Sequence, residues 1–148
     1  MATFSHLGHC VADLERSRRF YVELLGFTEV ADIRPPDESS AKLMRLTTPL
    51  GLNAVYLRRD GLLLELLHYE HHGTRPVRPR TLDEPGLTHI SVWVEDGDAY
   101  SALLEQVPAY GGEVLTDTDL GLACMIRDPD GQLIEVLGRP FDPSAFGG

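Results

Sequence analysis

The chain contains the same short pattern twice. Residues 60–67 (DGLLLELL) and 130–137 (DGQLIEVL) are identical at five of eight positions. A second pair, HLGHCVAD at 6–13 and HISVWVED at 89–96, shares its first and last residues and an alternation of apolar positions. Self-similarity on this scale indicates that one supersecondary unit occurs twice. The sequence therefore predicts two copies of one module.

Both halves predict the order βαβββ, and hence an α+β fold of two tandem modules. In the first half we expect a strand at 4–11, an N-cap at Asp13, a helix at 14–25 stopped by Gly26, and a final strand at 62–68. Strands are also expected near 27–33, 42–48 and 53–59, the first two not being separable, with a loop insertion from Pro35 to Ser40. In the second half we expect a strand at 87–94, a helix from Asp96 or Asp98 to about residue 107, and strands near 113–116, 122–127 and 132–137.

The length fits one domain over residues 1–148. Module 1 is placed at 3–70 and module 2 at 86–139. The intervening residues 71–85 contain Pro76, Pro79 and Pro85 and are interpreted as a linker. Residues 140–148, rich in Pro and Gly, are interpreted as a tail.

Charge and composition exclude several classes of partner. Thirteen Lys and Arg stand against 23 Asp and Glu, which gives a net charge of -10 and argues against nucleic acid and anionic membranes. The longest apolar run, 62–67, is short and carries Glu65, so no membrane span is expected. Two cysteines without a CxxC spacing do not indicate a disulfide framework or a cysteine zinc site. With no signal peptide in the sequence, a cytoplasmic location is the expectation.

Strand alternation divides the functional candidates from the core. His6 shares a strand face with Gly8 and Cys10, and His89 shares one with Ser91 and Trp93. The opposite, aliphatic faces are expected to pack under the helices, which leaves the histidine faces on the concave side. Glu65 and Glu135 each lie among leucines at a strand centre, where a carboxylate is costly unless it is paired or bound to a metal.

His6, Glu65, His89 and Glu135 thus recur in a two-fold pattern. Two interpretations remain open from the residues alone: four separate polar side chains, or one shared metal site. Two imidazoles with two carboxylates suit Zn, Ni, Co, Mn or Fe(II).

The chain resembles the vicinal oxygen chelate superfamily, which includes glyoxalase I, methylmalonyl-CoA epimerase, extradiol dioxygenases and bleomycin-resistance proteins. The resemblance covers roughly residues 3–139. The motifs that carry it are SHLG at 5–8, DLERS at 13–17, FY at 20–21, LGF at 25–27, GLTHIS at 86–91 and DPDGQLIE at 128–135. It implies a cup-shaped mixed or antiparallel sheet with helices on the outer face.

The resemblance also implies a site and a chemistry. The family's ligand positions correspond to His6, Glu65, His89 and Glu135, around one divalent ion that is Zn, Ni, Co, Mn or Fe. The implied substrate is a small molecule with two neighbouring oxygens, and Glu135 is the expected base, with Glu65 as its partner. The implied function is a metal-dependent lyase or isomerase that acts on a carbonyl compound through a metal-stabilised enediolate or enolate, in a homodimer.

Two alternatives of other classes accompany this expectation. An Fe(II)-dependent extradiol-type dioxygenase typically uses two His and one Glu, so the additional Glu65 favours the lyase or isomerase. A non-catalytic small-molecule-binding or resistance protein often lacks ligands, whereas this chain has a full set.

The remaining candidates are weaker. His68, His71 and His72 have no counterpart in the second half, so a second metal site there is not favoured. His9 points away from His6 and is expected to be structural, while Cys10 could line the pocket. Four arginines could bind an anionic substrate, although each of them taken singly is explained by a place on a solvent-exposed strand edge. They are Arg45, Arg58, Arg59 and Arg127.

Overall fold

The computed structural model describes residues 1–78 and 81–146, with only the backbone described at 145 and 146. Two compact units divide the chain, unit 1 at Met1–Val77 and unit 2 at Arg78–Gly148. Pro79 of the predicted linker and residues 147–148 of the predicted tail lie outside the described residues.

Unit 1 is a four-stranded mixed sheet with two helices. Its elements are β1 (Leu7–Cys10), α1 (Leu14–Arg19) continued by a π-helical turn (Phe20–Leu24), β2 (Thr28–Ile33), α2 (Asp37–Met44), β3 (Leu52–Arg59) and β4 (Leu62–Tyr69). The strand order is β1-β4-β3-β2, with β1 parallel to β4 and the other pairs antiparallel.

Unit 2 repeats this arrangement in a shorter form. Its elements are β5 (His89–Trp93), α3 (Gly97–Gln106), a 3₁₀ turn (Val107–Tyr110), β6 (Glu113–Val114), a 3₁₀ turn (Thr116–Thr118), β7 (Ala123–Arg127), β8 (Leu133–Leu137) and a last 3₁₀ turn (Pro143–Phe146). The strand order β5-β8-β7-β6 and the parallel β5–β8 pair match unit 1. The prediction of an α+β fold of two tandem βαβββ modules is confirmed.

The strand faces divide as the alternation predicts. In unit 1, Val55, Leu57, Leu64 and Leu66 are all fully buried and share one face in register. α1 packs against β4, and Asp13 caps it by accepting a hydrogen bond from the backbone N–H of Arg16. In unit 2, the corresponding fully buried face is formed by Ile126, Ile134 and Val136. Glu65 and Glu135 lie at the centres of the opposite faces.

Two local predictions in unit 1 are wrong. Residues 37–40 of the stretch from Pro35 to Ser40, expected to be a loop, form the first half of α2. The strand expected near 42–48 is absent, because residues 42–44 belong to α2 and residues 45–48 form neither helix nor strand. Asp37 fixes the first turn because its carboxylate accepts hydrogen bonds from the backbone N–H groups of Leu50 and Gly51, at 2.8 and 2.9 Å. The buried side of α2 packs through Ala41 on a small core of Leu50, Leu52 and Tyr69.

The helix expected over 14–25 changes its hydrogen bonding at Phe20. The backbone N–H of Leu25 donates to the carbonyl of Phe20, five residues back, at 3.1 Å. This turn places Phe20 and Tyr21 together in the core, both with no exposed surface. Gly26, at φ 71°, ends the helix as predicted.

Candidate functional site

In unit 1 the structure brings His6 and Glu65 together. Glu65 lies in the middle of β4, directly opposite Gly8 of the parallel strand β1, and His6 immediately precedes that strand. The Nε2 atom of His6 is 3.1 Å from Oε2 of Glu65. The Glu65 side chain is only 11% exposed, so its charge is held in a partly desolvated position.

The second ring nitrogen of His6 indicates what its Nε2 can bind. Nδ1 lies 2.8 Å from the hydroxyl oxygen of Ser5. When the proton is on Nδ1 and is donated to Ser5, Nε2 turns a lone pair toward a carboxylate oxygen. Two lone pairs at this distance repel unless a cation, either a proton or a metal ion, lies between them. A hydrogen bond at the far ring nitrogen is the usual companion of a metal-binding histidine.

Tyr56 forms a hydrogen bond with the other carboxylate oxygen of Glu65. Its hydroxyl donates a hydrogen bond of 2.5 Å to Oε1, and the ring of His6 stands edge-on to the Tyr56 ring with centroids 5.5 Å apart. Burial, followed by the hydrogen bond to Glu65 and the charge of that carboxylate, raises the pKa of Tyr56 to about 12. Tyr56 is therefore a permanent donor at neutral pH and anchors the carboxylate.

Tyr56 is a site residue that the sequence pattern did not predict. The sequence contains a feature that could predict it, namely the Asp60–Gly61 turn. This turn joins β3 to β4 as a hairpin and pairs Tyr56 with Glu65 in register.

In unit 2 the structure brings His89 and Glu135 together in the same manner. Nε2 of His89 is 3.9 Å from Oε2 of Glu135, and Nδ1 of His89 is 2.9 Å from the hydroxyl oxygen of Thr88. The Ser91 hydroxyl donates to Oε2 of Glu135 at 2.7 Å. Each unit thus presents a histidine with a hydroxyl at Nδ1 and a carboxylate at Nε2.

The two carboxylates differ in how firmly they are held. Both oxygens of Glu65 have partners, whereas the contacts of Glu135 converge on Oε2. Within residues 1–78 and 81–146, Glu135 has no other hydrogen bond. Met125 stands at the position in unit 2 that Tyr56 occupies in unit 1, since each lies opposite its glutamate in the antiparallel pair. The Glu135 side chain is 35% exposed and lines a cavity of about 390 Å³ in unit 2.

The DPDG segment that precedes β8 forms a turn. The Asp128 carboxylate accepts hydrogen bonds from the backbone N–H groups of Asp130 and Gln132, at 2.9 and 2.8 Å. The turn fixes the start of the strand that carries Glu135.

The other histidines make separate contacts. His9 lies on the helix-facing side of β1, with its ring 6.1 Å from that of Tyr21, away from His6 as predicted. Nδ1 of His68 contacts the carbonyl of Val11 at 3.3 Å, and Nδ1 of His72 contacts the carbonyl of Thr47 at 3.2 Å. The ring of His71 packs over Gly51. Structural contacts account for His68, His71 and His72.

The cysteines and arginines add little to the site. Cys10 is exposed, Cys124 is buried, and neither is in a disulfide. Arg59 pairs with Asp60 and Arg127 with Glu113. These two arginines serve local ion pairs at strand ends.

In the described part of the chain, no helix has the length and apolar character needed to cross a bilayer.

Comparison with known proteins places the chain in a family. The family model of the Glyoxalase/Bleomycin resistance protein/Dioxygenase superfamily matches residues 3–136. A lactoylglutathione lyase of Pseudomonas putida is 29% identical over 147 residues, covering 90% of this chain and 83% of that protein.

Solved structures show the same fold. A glyoxalase family protein from Bacillus cereus superposes with a TM-score of 0.73 at 16% identity, covering 92% of this chain and 93% of that one. A mutant of the fosfomycin resistance protein FosX from Listeria monocytogenes, solved with Mn(II) and a dihydroxypropylphosphonic acid, gives 0.64 at 17% identity and covers 95% of both chains. With its two βαβββ modules and its matched model, the chain belongs to the glyoxalase/bleomycin resistance protein/dioxygenase superfamily.

Proposed function

We propose that this protein is a divalent-metal-dependent lyase or isomerase that acts on a small carbonyl compound. The observation that carries the proposal is the repeated His–Glu pair, in which Nε2 of His6 faces Glu65 and Nε2 of His89 faces Glu135. The names of two relatives support it, since one is a lactoylglutathione lyase and another was solved with Mn(II).

The donor set fits a divalent ion. His6, Glu65, His89 and Glu135 would hold it with two imidazole nitrogens and two carboxylates, a mixture that suits Zn, Ni, Co, Mn or Fe. The hydroxyls of Ser5 and Thr88 fix each ring through Nδ1 and keep Nε2 for the ion. When bound, such an ion acts as a Lewis acid that polarises a carbonyl oxygen.

The unequal hydrogen bonding of the two carboxylates supports different roles for them. Glu65, held through Oε1 by Tyr56, stays in place as a ligand. Glu135 has a freer carboxylate beside the cavity and takes the proton from the carbon next to the carbonyl. Ser91 positions this base through its bond to Oε2, and the raised pKa of Tyr56 keeps the proton of the phenol on Tyr56.

Metal analysis combined with proton exchange tests the proposal. Purified protein should contain one Zn, Ni, Co, Mn or Fe per chain, and it should exchange deuterium from solvent into the carbon next to the carbonyl of a thiol–phenylglyoxal adduct. Glu135→Gln keeps an oxygen for the metal but cannot accept a proton, so exchange should fall by about 10² or more with the metal retained.

Glu105→Gln, on the exposed surface of α3, is the matched control and should change neither quantity. Normal exchange by Glu135→Gln would remove Glu135 as the base. Protein that takes up none of these metals would overturn the metal-dependent function, and oxygen-sensitive Fe(II) with ring cleavage of a catechol would replace the lyase by a dioxygenase.

We also propose a homodimer. β2 is an edge strand of the unit 1 sheet, and it exposes Val30 and Ile33 by 44% and 45%. Light scattering at low protein concentration should give twice the 16.4 kDa mass of the chain. A measured mass equal to that of one chain would reject the dimer.

A further inference from the structure

The cavity of unit 2 has a mainly apolar wall that also carries two charged side chains. Its volume, about 390 Å³, lies in the range of small-molecule pockets. Leu120, Leu122, Leu137 and Phe141 form much of its wall, and Glu135 and Arg139 supply its charges.

The wall is held in place by hydrogen bonds outside the cavity. The carboxylate of Asp119 accepts hydrogen bonds from the Tyr100 hydroxyl at 2.7 Å and from the Gly121 N–H at 2.8 Å. The backbone N–H of Leu120 donates to the carbonyl of Ala123 at 2.9 Å. This turn keeps the Leu120 side chain 84% exposed although leucine gains free energy from burial. A fixed, exposed leucine on a cavity wall is suited to cover an apolar ligand.

Arg139 is available to bind an anion. Within residues 1–78 and 81–146 its guanidinium has no ion pair or hydrogen bond, although acidic residues outnumber basic ones in the chain by 23 to 13. Arg139 follows Glu135 by four positions, with Leu137 of the cavity wall between them, so their Cα atoms are about 14 Å apart at most. A ligand that reaches both charged groups passes the Leu137 side chain, so an apolar body between its reacting carbon and its anionic group fits the cavity.

We propose that this cavity recognises the substrate as an elongated, mainly apolar carbonyl compound with an anionic group at its far end. Leu120, Leu122, Leu137 and Phe141 contact the apolar body, Arg139 pairs with the anionic group, and the reacting carbon lies beside Glu135. The assignment of a reacting carbon rests on the proposed function, whereas binding of the apolar anion does not require the metal.

Fluorescence of the single tryptophan measures this binding. Trp93 lies in register with Leu137, a residue of the cavity wall. Metal-free full-length protein is titrated with 4-phenylbutyrate, with the neutral 4-phenylbutyramide and with butyrate. We expect saturable quenching by 4-phenylbutyrate, with a Kd about tenfold or more below that of the amide, and no saturation by butyrate.

Three variants locate the site. Arg139→Gln should reduce the preference for the acid over the amide to about onefold, whereas Arg19→Gln, on the helix of unit 1, should leave it unchanged. Leu120→Ser removes an exposed side chain and should weaken the acid and the amide by the same factor. Equal binding of acid and amide by the wild type, a preference that survives Arg139→Gln, or no saturable binding at all would overturn the proposal.

The same titration, repeated with zinc, separates this inference from the proposed function. Zinc uptake without 4-phenylbutyrate binding would overturn the substrate class and leave the metal-dependent function standing. Binding of 4-phenylbutyrate by a chain that takes up no divalent metal would overturn the metal-dependent function and leave the substrate class standing.

Discussion

The hydroxyl of Tyr56 donates to Oε1 of Glu65 at 2.5 Å, across the hairpin that joins β3 and β4. The matching position in unit 2 holds Met125, which has no comparable donor. Both units therefore carry the His–Glu pair, but only the carboxylate of unit 1 is held by a tyrosine hydroxyl. This asymmetry underlies the different roles proposed for Glu65 and Glu135.

Tyr56→Phe should destabilise the protein and weaken metal binding. The change leaves a carboxylate oxygen of the buried Glu65 without its donor, which costs about 1–3 kcal/mol in free energy of unfolding. Metal affinity should fall by about 10- to 100-fold because the ligand loses its orientation. Urea denaturation and zinc titration measure the two effects.

Tyr69→Phe is the matched control for that change. Tyr69 is also buried, but within the described residues its hydroxyl has no hydrogen-bond partner, so its loss should alter neither quantity appreciably. Equal behaviour of the two variants would show that the Tyr56–Glu65 bond contributes nothing specific.

Gly138→Ala should destabilise unit 2 and displace Leu122, a residue of the cavity wall. A Cβ at Gly138 would lie 2.7 Å from Cδ2 of Leu122 and 3.2 Å from Cβ of Tyr100, so the Leu122 side chain must shift. Leu122 is 47% exposed and can move, whereas Tyr100 is buried, so the close contact with Tyr100 should cost about 1 kcal/mol of stability. Thermal unfolding checks the stability, and a crystal structure of the variant checks the displacement of Leu122.

Gly97→Ala provides the comparison because its Cβ would meet the same Leu122 atom at an ordinary 3.6 Å. It should unfold at close to the wild-type temperature. A loss of stability as large as that of Gly138→Ala would refute the packing argument.

The turn on the cavity wall should weaken in acid. The hydrogen bond from the Gly121 N–H, and then that from the Tyr100 hydroxyl, lower the pKa of Asp119 below its ordinary value. The stabilisation is therefore complete above the ordinary Asp pKa, near 4, and is lost as the pH falls through the lower pKa of the folded state. Thermal unfolding of wild type and Asp119→Asn between pH 2.5 and 6 should differ most at pH 6 and converge toward the acid end. A constant difference over that range would contradict the assignment.

Local patterns in the sequence predicted the parts of the fold that depend on neighbours along the chain. The cap at Asp13 and the strand face of His89 follow from spacing and period. α2 was not predictable in this way because it depends on Asp37 reaching the backbone of Leu50 and on Ala41 packing against Tyr69. Two prolines and two serines at its start indicate a loop until those distant contacts form.

The candidate site divides in the same manner. The repeat, the residue types and the strand parity predict His6, Glu65, His89 and Glu135 as candidate ligands. Tyr56 required the hairpin register, which fixes which residue stands opposite Glu65. The cavity required the three-dimensional structure, since residues 120–123 and 137–141 become its wall only when the turn after Thr118 folds back onto β8.

Metal stoichiometry of single-histidine variants tests the central claim most directly. We measure zinc bound per chain, by equilibrium dialysis and elemental analysis, for wild type, His6→Ala, His89→Ala and, as a control, the exposed His72→Ala. Because His6 and His89 are proposed to bind one shared ion, we expect one zinc per chain in wild type and His72→Ala. Either His6→Ala or His89→Ala should lower the affinity by about 10²-fold or more. Undiminished zinc affinity in both His6→Ala and His89→Ala would contradict the account.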